Sequence, residues 1–380
     1  MQINDLIMKN NFGNNKNIGI ITHYDVHNHG ALLQLTALIR VLQKKGINAS
    51  ALQFDKNYDF MGRALKAKYE ISAKSVGIYI KYLKEKGIGC TKFNFKKRQV
   101  LNKYKQDSGI IGDYYSDSPD LDAVIVGSDE VFALHTGPTP VFFGLCLPTD
   151  NVFSYAGSFG PTTYEEIVKR HCIPFIKTGL ANMKGVSVRD ENSAQIVEKI
   201  LGETPPIVVD PVLLYGYKDE IASLPISDEK YLLIYAYDDR MNDPEEVNAI
   251  RAYAKRKGLK IVSPGFYHSW CDENINVDPI ELLGYFKNAK EVITDTFHGC
   301  VMSLITEANV AVKTRDSNYF KLSNLLSEYG LSMRLLQNWS DLDTVMAHEI
   351  DYDKVNKEIE RRRNESMNIL VSFLNKCGIN

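Results

Sequence analysis

Short apolar runs closed by turn residues recur along the chain, and they set its reading. Asn17-Ile18-Gly19-Ile20-Ile21-Thr22 is the first, too short for a helix and rich in β-branched residues, as buried parallel strands are. A polar loop over 24–30 follows, then helical spacing over 31–45 stopped by Gly46, then a second strand over 47–54. Strand, loop, helix and strand in that order open an α/β domain with a parallel sheet. Runs at 123–126, 151–155 and 185–188 extend the same sheet.

Glu203-Thr204-Pro205-Pro206 breaks the pattern, and 207–211 reads as a crossing into a second unit. There the theme repeats: strands over 231–237, 259–262, 291–294 and 310–313, with helices over 244–257, 279–288 and 299–307. A charged helical tail over 352–377 is expected to pack back across the first half. The expected fold class is therefore α/β, with two Rossmann-like domains facing a cleft, 16–204 and 205–345, and a returning helix over 350–378. A chain of 380 residues agrees with two cores rather than one. In such sheets ligands bind beyond the carboxyl ends of the strands.

Composition narrows the functional classes. Hydrophobic residues at 44% and charged residues at 24% are those of a soluble globular protein. A formal net charge of −2 gives no reason to expect nucleic acid as partner. The six cysteines form no CxxC pair, so neither zinc nor a disulfide framework is expected. The polar N-terminus lacks a signal-peptide core, and no apolar run approaches the ~20 residues that cross a bilayer. The expected location is cytoplasmic. One segment departs from the average: 61–106 holds 13 Lys or Arg against Glu70 and Glu85, interleaved with aromatic and aliphatic residues. It reads as a solvated helical insertion, or as a peripheral contact with anionic lipid or a diphosphate-linked acceptor.

Four segments carry candidate chemistry. In Thr294-Asp295-Thr296-Phe297-His298-Gly299 a strand ends in small polar residues and hands over to a helix. Its free N–H groups favour a phosphate or carboxylate, Gly299 allows close approach, and His298 can hold an anion or move a proton. Ser187-Val188-Arg189-Asp190 delivers an arginine at a strand's end, suited to a forked grip on a carboxylate or phosphate; pairing with Asp190 or Glu191 is the plainer alternative. His23, His27 and His29 have neither helical spacing nor a supporting thiolate or carboxylate cluster, so no metal is expected. Asn28, Gly30 and Gln34 are read instead as contacts to a hydroxylated acceptor. Gly127-Ser128-Asp129-Glu130 follows a buried strand. Asp129 and Glu130 are candidate bases there, with a helix cap by Ser128 or Asp129 as the alternative.

These segments, taken with Tyr155-Ala156-Gly157-Ser158-Phe159-Gly160 and Asp210-Pro211-Val212-Leu213-Leu214, stand in the order found in polysaccharide pyruvyl transferases, a family the chain resembles from about 18 to 334. The resemblance implies a GT-B-like arrangement with an acceptor side in the first domain and a donor side in the second. It also implies phosphoenolpyruvate as donor substrate, no further cofactor, and a lipid-linked or nucleotide-linked saccharide of a cell-envelope or exopolysaccharide pathway as acceptor. By that analogy Arg189, Asp295, Thr296, His298 and Gly299 hold the donor, His298 is the acid and Asp129 the base. Asn28, Gly30, Gln34, Ser128 and Glu130 face the acceptor. Some members carry arginine where this chain has Thr296; Lys313 and Lys321 are the candidates to replace that charge. Glu130 stands where glutamine is usual. Two rival readings are a nucleotide-sugar glycosyltransferase of the same plan and a non-catalytic, membrane-associated binding member.

Overall fold

The structure, a computed structural model, describes residues 16–55, 73–118, 120–315 and 318–379, the side chains of 73–85 excepted. The first half builds a six-stranded sheet from β1 (Asn17–Ile21), β2 (Asn48–Gln53), β3 (Ile111–Tyr114), β4 (Ala123–Val126), β5 (Val152–Gly157) and β6 (Gly185–Val188). The second sheet comprises β7 (Tyr231–Tyr235), β8 (Lys260–Pro264), β9 (Glu273–Ile275), β10 (Glu291–Thr294), β11 (Val310–Lys313) and β12 (Leu335–Leu336). Their orders are β3-β2-β1-β4-β5-β6 and β12-β11-β10-β7-β8-β9, and every pairing is parallel. Both are the doubly wound order in which the chain reverses direction between the first and fourth strands. The two reversal points fall between β1 and β4, and between β7 and β10.

The helices that matter for the site are α1 (His29–Gln43), α2 (Ala73–Ser108, broken at Gly87), α3 (Glu191–Leu201), α4 (Pro211–Tyr215), α5 (Pro244–Lys257), α6 (Pro279–Asn288), α7 (Phe297–Ile305), α8 (Tyr319–Glu328) and α9 (Tyr352–Lys376). Helix α1 is buried along most of its length and joins the two halves. His29 Nε2 lies 2.9 Å from the Val277 carbonyl, and the Tyr217 hydroxyl donates to the Leu33 carbonyl at 2.6 Å. The tail α9 returns to the first sheet: Ser366 Oγ accepts from Val209 N at 3.0 Å, and Phe373 meets Phe153 edge-on.

The edge strands β3, β9 and β12 lie outside the sequence expectation. β3 and β9 are short, half-exposed and carry polar residues, and β12 is only the pair Leu335–Leu336, so none shows the apolar run that marks a buried strand. Of the basic segment 61–106, residues 61–72 and the side chains of 73–85 lie outside the described residues. From Ile88 onward the segment is helical. Lys97 is buried there, stacked 4.0 Å from the Phe266 ring centroid. Among the described residues no helix is long and apolar enough to cross a membrane.

Candidate functional site

The carboxyl ends of β1 and β4 on one side, and of β7 and β10 on the other, turn their loops toward one another. The segments that follow β1, β4, β6, β10 and β11 carry Gln34, Asp129, Arg189, His298 and Lys321. Arg189, immediately beyond β6, has a side chain only 1% exposed. Its Nη1 donates to Asp210 Oδ2 at 2.9 Å and Gln34 Oε1 at 3.2 Å. Asp210 is itself buried and caps α4 by accepting from Val212 N. The predicted neighbours are otherwise engaged: Asp190 caps α3 through Ser193 N and accepts a hydrogen bond from Ser158 Oγ.

His298, in the first turn of α7, places Nε2 3.3 Å from Gln34 Oε1 and 3.8 Å from Asp210 Oδ2. Two acceptors on that side favour the proton on Nε2. Burial lowers the His298 pKa, and Asp210 and Asp129 offset this only in part. The other face of the ring lies on α1. A Cβ on Gly30 would sit 2.2 Å from His298 Cγ, so glycine is required there for the halves to meet.

Asp129 adopts φ 85°, with Oδ1 3.5 Å from Arg189 Nη2. Burial pushes its carboxyl up, but Arg189 above all, then His23, His298 and Lys321, outweigh burial and hold it well below the usual carboxylate range. Burial likewise acts to lower the Arg189 pKa and is outweighed by Asp210 and Asp129, which raise it. Arg189 and Asp210 are thus buried together, with Asp129 at the partly exposed end of the cluster. Asp129 caps no helix; it forms a bridge with Gly157.

Several sequence candidates gather here. Lys321, on α8, reaches Glu130 Oε1 at 3.3 Å across the cleft and lies over the Phe297 ring at 4.8 Å. Arg189 lies over the same ring at 4.6 Å, so Phe297 is flanked by two cations. Glu130 also meets His135 Nε2 at 3.4 Å. Among the buried polar atoms that make no hydrogen bond to the described residues are Arg189 Nε and Nη2, Gln34 Nε2 and Ser128 Oγ.

Other candidates take different roles. Asn28 is the N-cap of α1, its side chain accepting from Gly30 N and Ala31 N. Thr296 caps α7 by accepting from Gly299 N at 2.9 Å, so its hydroxyl supports the helix. A Cβ on Gly299 would meet Thr294 Oγ1 at 2.0 Å; the glycine serves that turn rather than a ligand's approach. Thr296→Val is expected to cost about 1 kcal/mol in chemical denaturation, with Thr296→Ser close to wild type. Asp295 is fully buried, with Arg315 Nε at 3.2 Å and Arg240 Nη1 at 3.8 Å from its Oδ2. Its charge organises two arginines instead of facing an anion. Lys313 points away, donating to the Gln337 carbonyl at 2.6 Å. His23 packs edge-on to Phe142, His27 meets Asn102 and His29 is sealed inside. Among the described residues no group of three or more His, Cys, Asp or Glu is arranged to hold a metal ion.

Sequence reasoning missed Asp210 as a site residue, and missed Tyr237, Arg240 and Arg315 altogether. Tyr237 and Arg240 lie in the loop after β7, with the guanidinium 4.8 Å from the tyrosine ring centroid. Tyr237 is 36% exposed; partial burial, then Asp129 and Glu130 of the first half, push its hydroxyl pKa up to about 12. The usable signal was positional: charged residues just past a buried strand.

No curated protein matches the chain. Among solved structures it is similar to a candidate UDP-N-acetylglucosamine 2-epimerase of Listeria monocytogenes, at 11% identity and TM-score 0.51 over 95% of this chain and 98% of that one. It is also similar to the glycosyltransferase SnogD of Streptomyces nogalater, at 10% identity and TM-score 0.45 over 95% and 100%. At 11% identity the likeness to the Listeria structure speaks for the fold alone, two parallel sheets in a GT-B-like arrangement. The family model for polysaccharide pyruvyl transferase matches residues 28–317, a span holding Asn28, Arg189, Asp210 and His298; the chain belongs to the polysaccharide pyruvyl transferase family.

Proposed function

We propose that this chain transfers the pyruvyl group of phosphoenolpyruvate to two hydroxyls of a saccharide of an envelope or exopolysaccharide pathway, forming a ketal and releasing phosphate. The observation that carries this reading is the set of buried donors that make no hydrogen bond to the described residues, Arg189 Nε, Gln34 Nε2, Ser128 Oγ and Arg189 Nη2, the last 3.5 Å from the Asp129 carboxylate, beside the start of α7. Leaving such groups unpaired costs about 1–3 kcal/mol each, and a small anion with several acceptor oxygens would satisfy them. Arg189 grips the donor's carboxylate or phosphate, and Lys321 supplies the further positive charge.

In the reaction the enol methylene gains a proton as a sugar oxygen attacks the neighbouring carbon. Phosphate then leaves, taking the electrons of its C–O bond, and the second hydroxyl closes the ketal. Of the two hydroxyl protons one is balanced by the new methyl group and one by the released phosphate. His298 is the proton donor: neutral while the site holds only Arg189 and its acids, it becomes cationic when the donor's negative charge enters. Asp129, held ionised by Arg189, is too weak a base to carry the hydroxyl's proton alone. It orients the acceptor and tempers the arginine's charge. Arg240 and Arg315 are held by Asp295, and Arg315 also by Glu246 at 3.1 Å, so these acids offset their charge.

The test is incubation of the chain with phosphoenolpyruvate and a panel of lipid-linked and nucleotide-linked sugars, reading phosphate release and the mass of the ketal product. Sugar nucleotides offered as sole donors form the control arm. Turnover with sugar nucleotides but not with phosphoenolpyruvate overturns the proposal. Lys321→Ala is expected to raise the KM for phosphoenolpyruvate about tenfold to a hundredfold, the loss of one charge-assisted contact.

A further inference from the structure

We infer that the outer face of the Ile88–Ser108 part of α2 docks the protein onto an anionic lipid bilayer beside the mouth of the cleft; this stands apart from the donor assignment above. The helix is fixed by its inner face. Cys90, Phe93, Lys97 and Leu101 are buried at helical spacing. Phe93 packs on Tyr267, Asn94 donates to Asp238 Oδ2 at 2.8 Å, and Asn276 donates to the Phe93 carbonyl. With that side committed, the outward direction is determined.

The outward residues are unusual for a solvated helix. Ile88 is 77% exposed and Phe95 64% exposed; seven residues apart, they stand on one stripe. Lys92, Lys96, Arg98, Gln99 and Lys103 are exposed around them. No acid interrupts 86–106, and among the described residues no carboxylate pairs with Lys92, Lys96 or Arg98, Asp107 being taken by Lys103. In a chain of formal net charge −2 this is a local excess of positive charge. Basic residues around large apolar side chains match an anionic headgroup layer over acyl chains. A nucleic acid would use the charge but has no use for an exposed isoleucine.

The helix also has a position that gives docking a purpose. Asn102 Oδ1 lies 3.1 Å from His27 Nε2, in the loop that ends at Asn28 and opens α1, and Lys105 is near Asp25 in the same loop. A bilayer against this face would lie next to the entrance through which an acceptor reaches the site.

The experiment is sedimentation of the full chain with vesicles of phosphatidylcholine alone, or of phosphatidylcholine with phosphatidylglycerol. Binding is expected only to the anionic vesicles, and to weaken steeply with added salt. Replacing Lys92, Lys96 and Arg98 together by glutamine is expected to lower partitioning about a hundredfold. Ile88→Ser with Phe95→Ser should lower it about tenfold or more. Lys255→Gln with Lys257→Gln, exposed on α5, should leave it unchanged. Equal binding to neutral and anionic vesicles, an unaltered triple variant, or an equal loss in the α5 control overturns the inference. Binding of single-stranded RNA without any vesicle binding overturns it in favour of a nucleic-acid surface.

Discussion

Arg189→Ala is expected to reduce kcat/KM for pyruvyl transfer at least a thousandfold and to lower stability by roughly 3–5 kcal/mol. Both effects come from one arrangement. The guanidinium is dry and faces two carboxylates, with Asp210 at 2.9 Å and Asp129 at 3.5 Å. Removing the cation leaves Asp210 fully buried with its Oδ2 turned toward His298 alone. The same change removes Nε and Nη2, the buried donors proposed to take the substrate's anion. The two losses are separable. Arg189→Lys restores a positive charge near Asp210 and should recover part of the stability, seen as a higher midpoint in urea. It cannot reproduce the fork, so turnover should remain depressed at least a hundredfold. Should Arg189→Ala retain near-normal turnover while losing stability, the arginine is a structural ion and the donor lies elsewhere in the cleft.

The removal of Arg189 also bears on Asp129. With its strongest positive neighbour gone, burial dominates and the carboxyl moves up toward neutrality. An Asp129→Asn substitution should therefore cost less in the Arg189→Ala background than in wild type. That non-additivity is the signature of two groups acting as one unit.

Much of this arrangement is legible in the chain, for a specific reason. In a doubly wound sheet the strands are apolar runs, and the site is built from the residues just beyond their ends. The positions after 126, 188 and 294 hold Asp129, Arg189 and His298, and no contact is needed to locate them. The hidden part depends on distances between remote segments. By its place in the sequence Asp295 suggests a ligand for an anion; it is instead the anchor of Arg240 and Arg315, respectively 55 residues before it and 20 residues after it. Lys313 and Lys321 are equivalent as sequence, yet the end of β11 turns Lys313 to the Gln337 carbonyl while α8 carries Lys321 to Glu130. Gly30 and Gly299 suggest room for a ligand. One makes room for the His298 ring and the other for the Thr294 hydroxyl, which are packing constraints within and between the halves.

The second large effect concerns how the halves are held. His29 begins α1 and is fully buried against the second half, with Nε2 on the Val277 carbonyl at 2.9 Å and Gly265 against its ring. Burial, helped by Lys97 and only partly opposed by the Val277 hydrogen bond, lowers its pKa from 6.5 to about 3. The folded state therefore holds a neutral imidazole where the unfolded chain takes up a proton near pH 6.5. This contribution is fully present above pH 6.5 and is lost as the pH falls toward 3, by about 5 kcal/mol in all. Urea denaturation of wild type and His29→Gln at pH 7.5, 6, 5 and 4 measures it. Glutamine can donate to Val277 but does not titrate. The variant should be less stable at pH 7.5 by about 1–3 kcal/mol, and the gap should close by roughly 1.4 kcal/mol per pH unit below 6. His298 and His268, also lowered by burial, act equally in both proteins and cancel from that difference. Parallel pH profiles would mean that His29 is not the acid-sensitive contact between the two sheets. Converging ones would identify the residue next to the α1 cap as the point where acid first loosens the cleft.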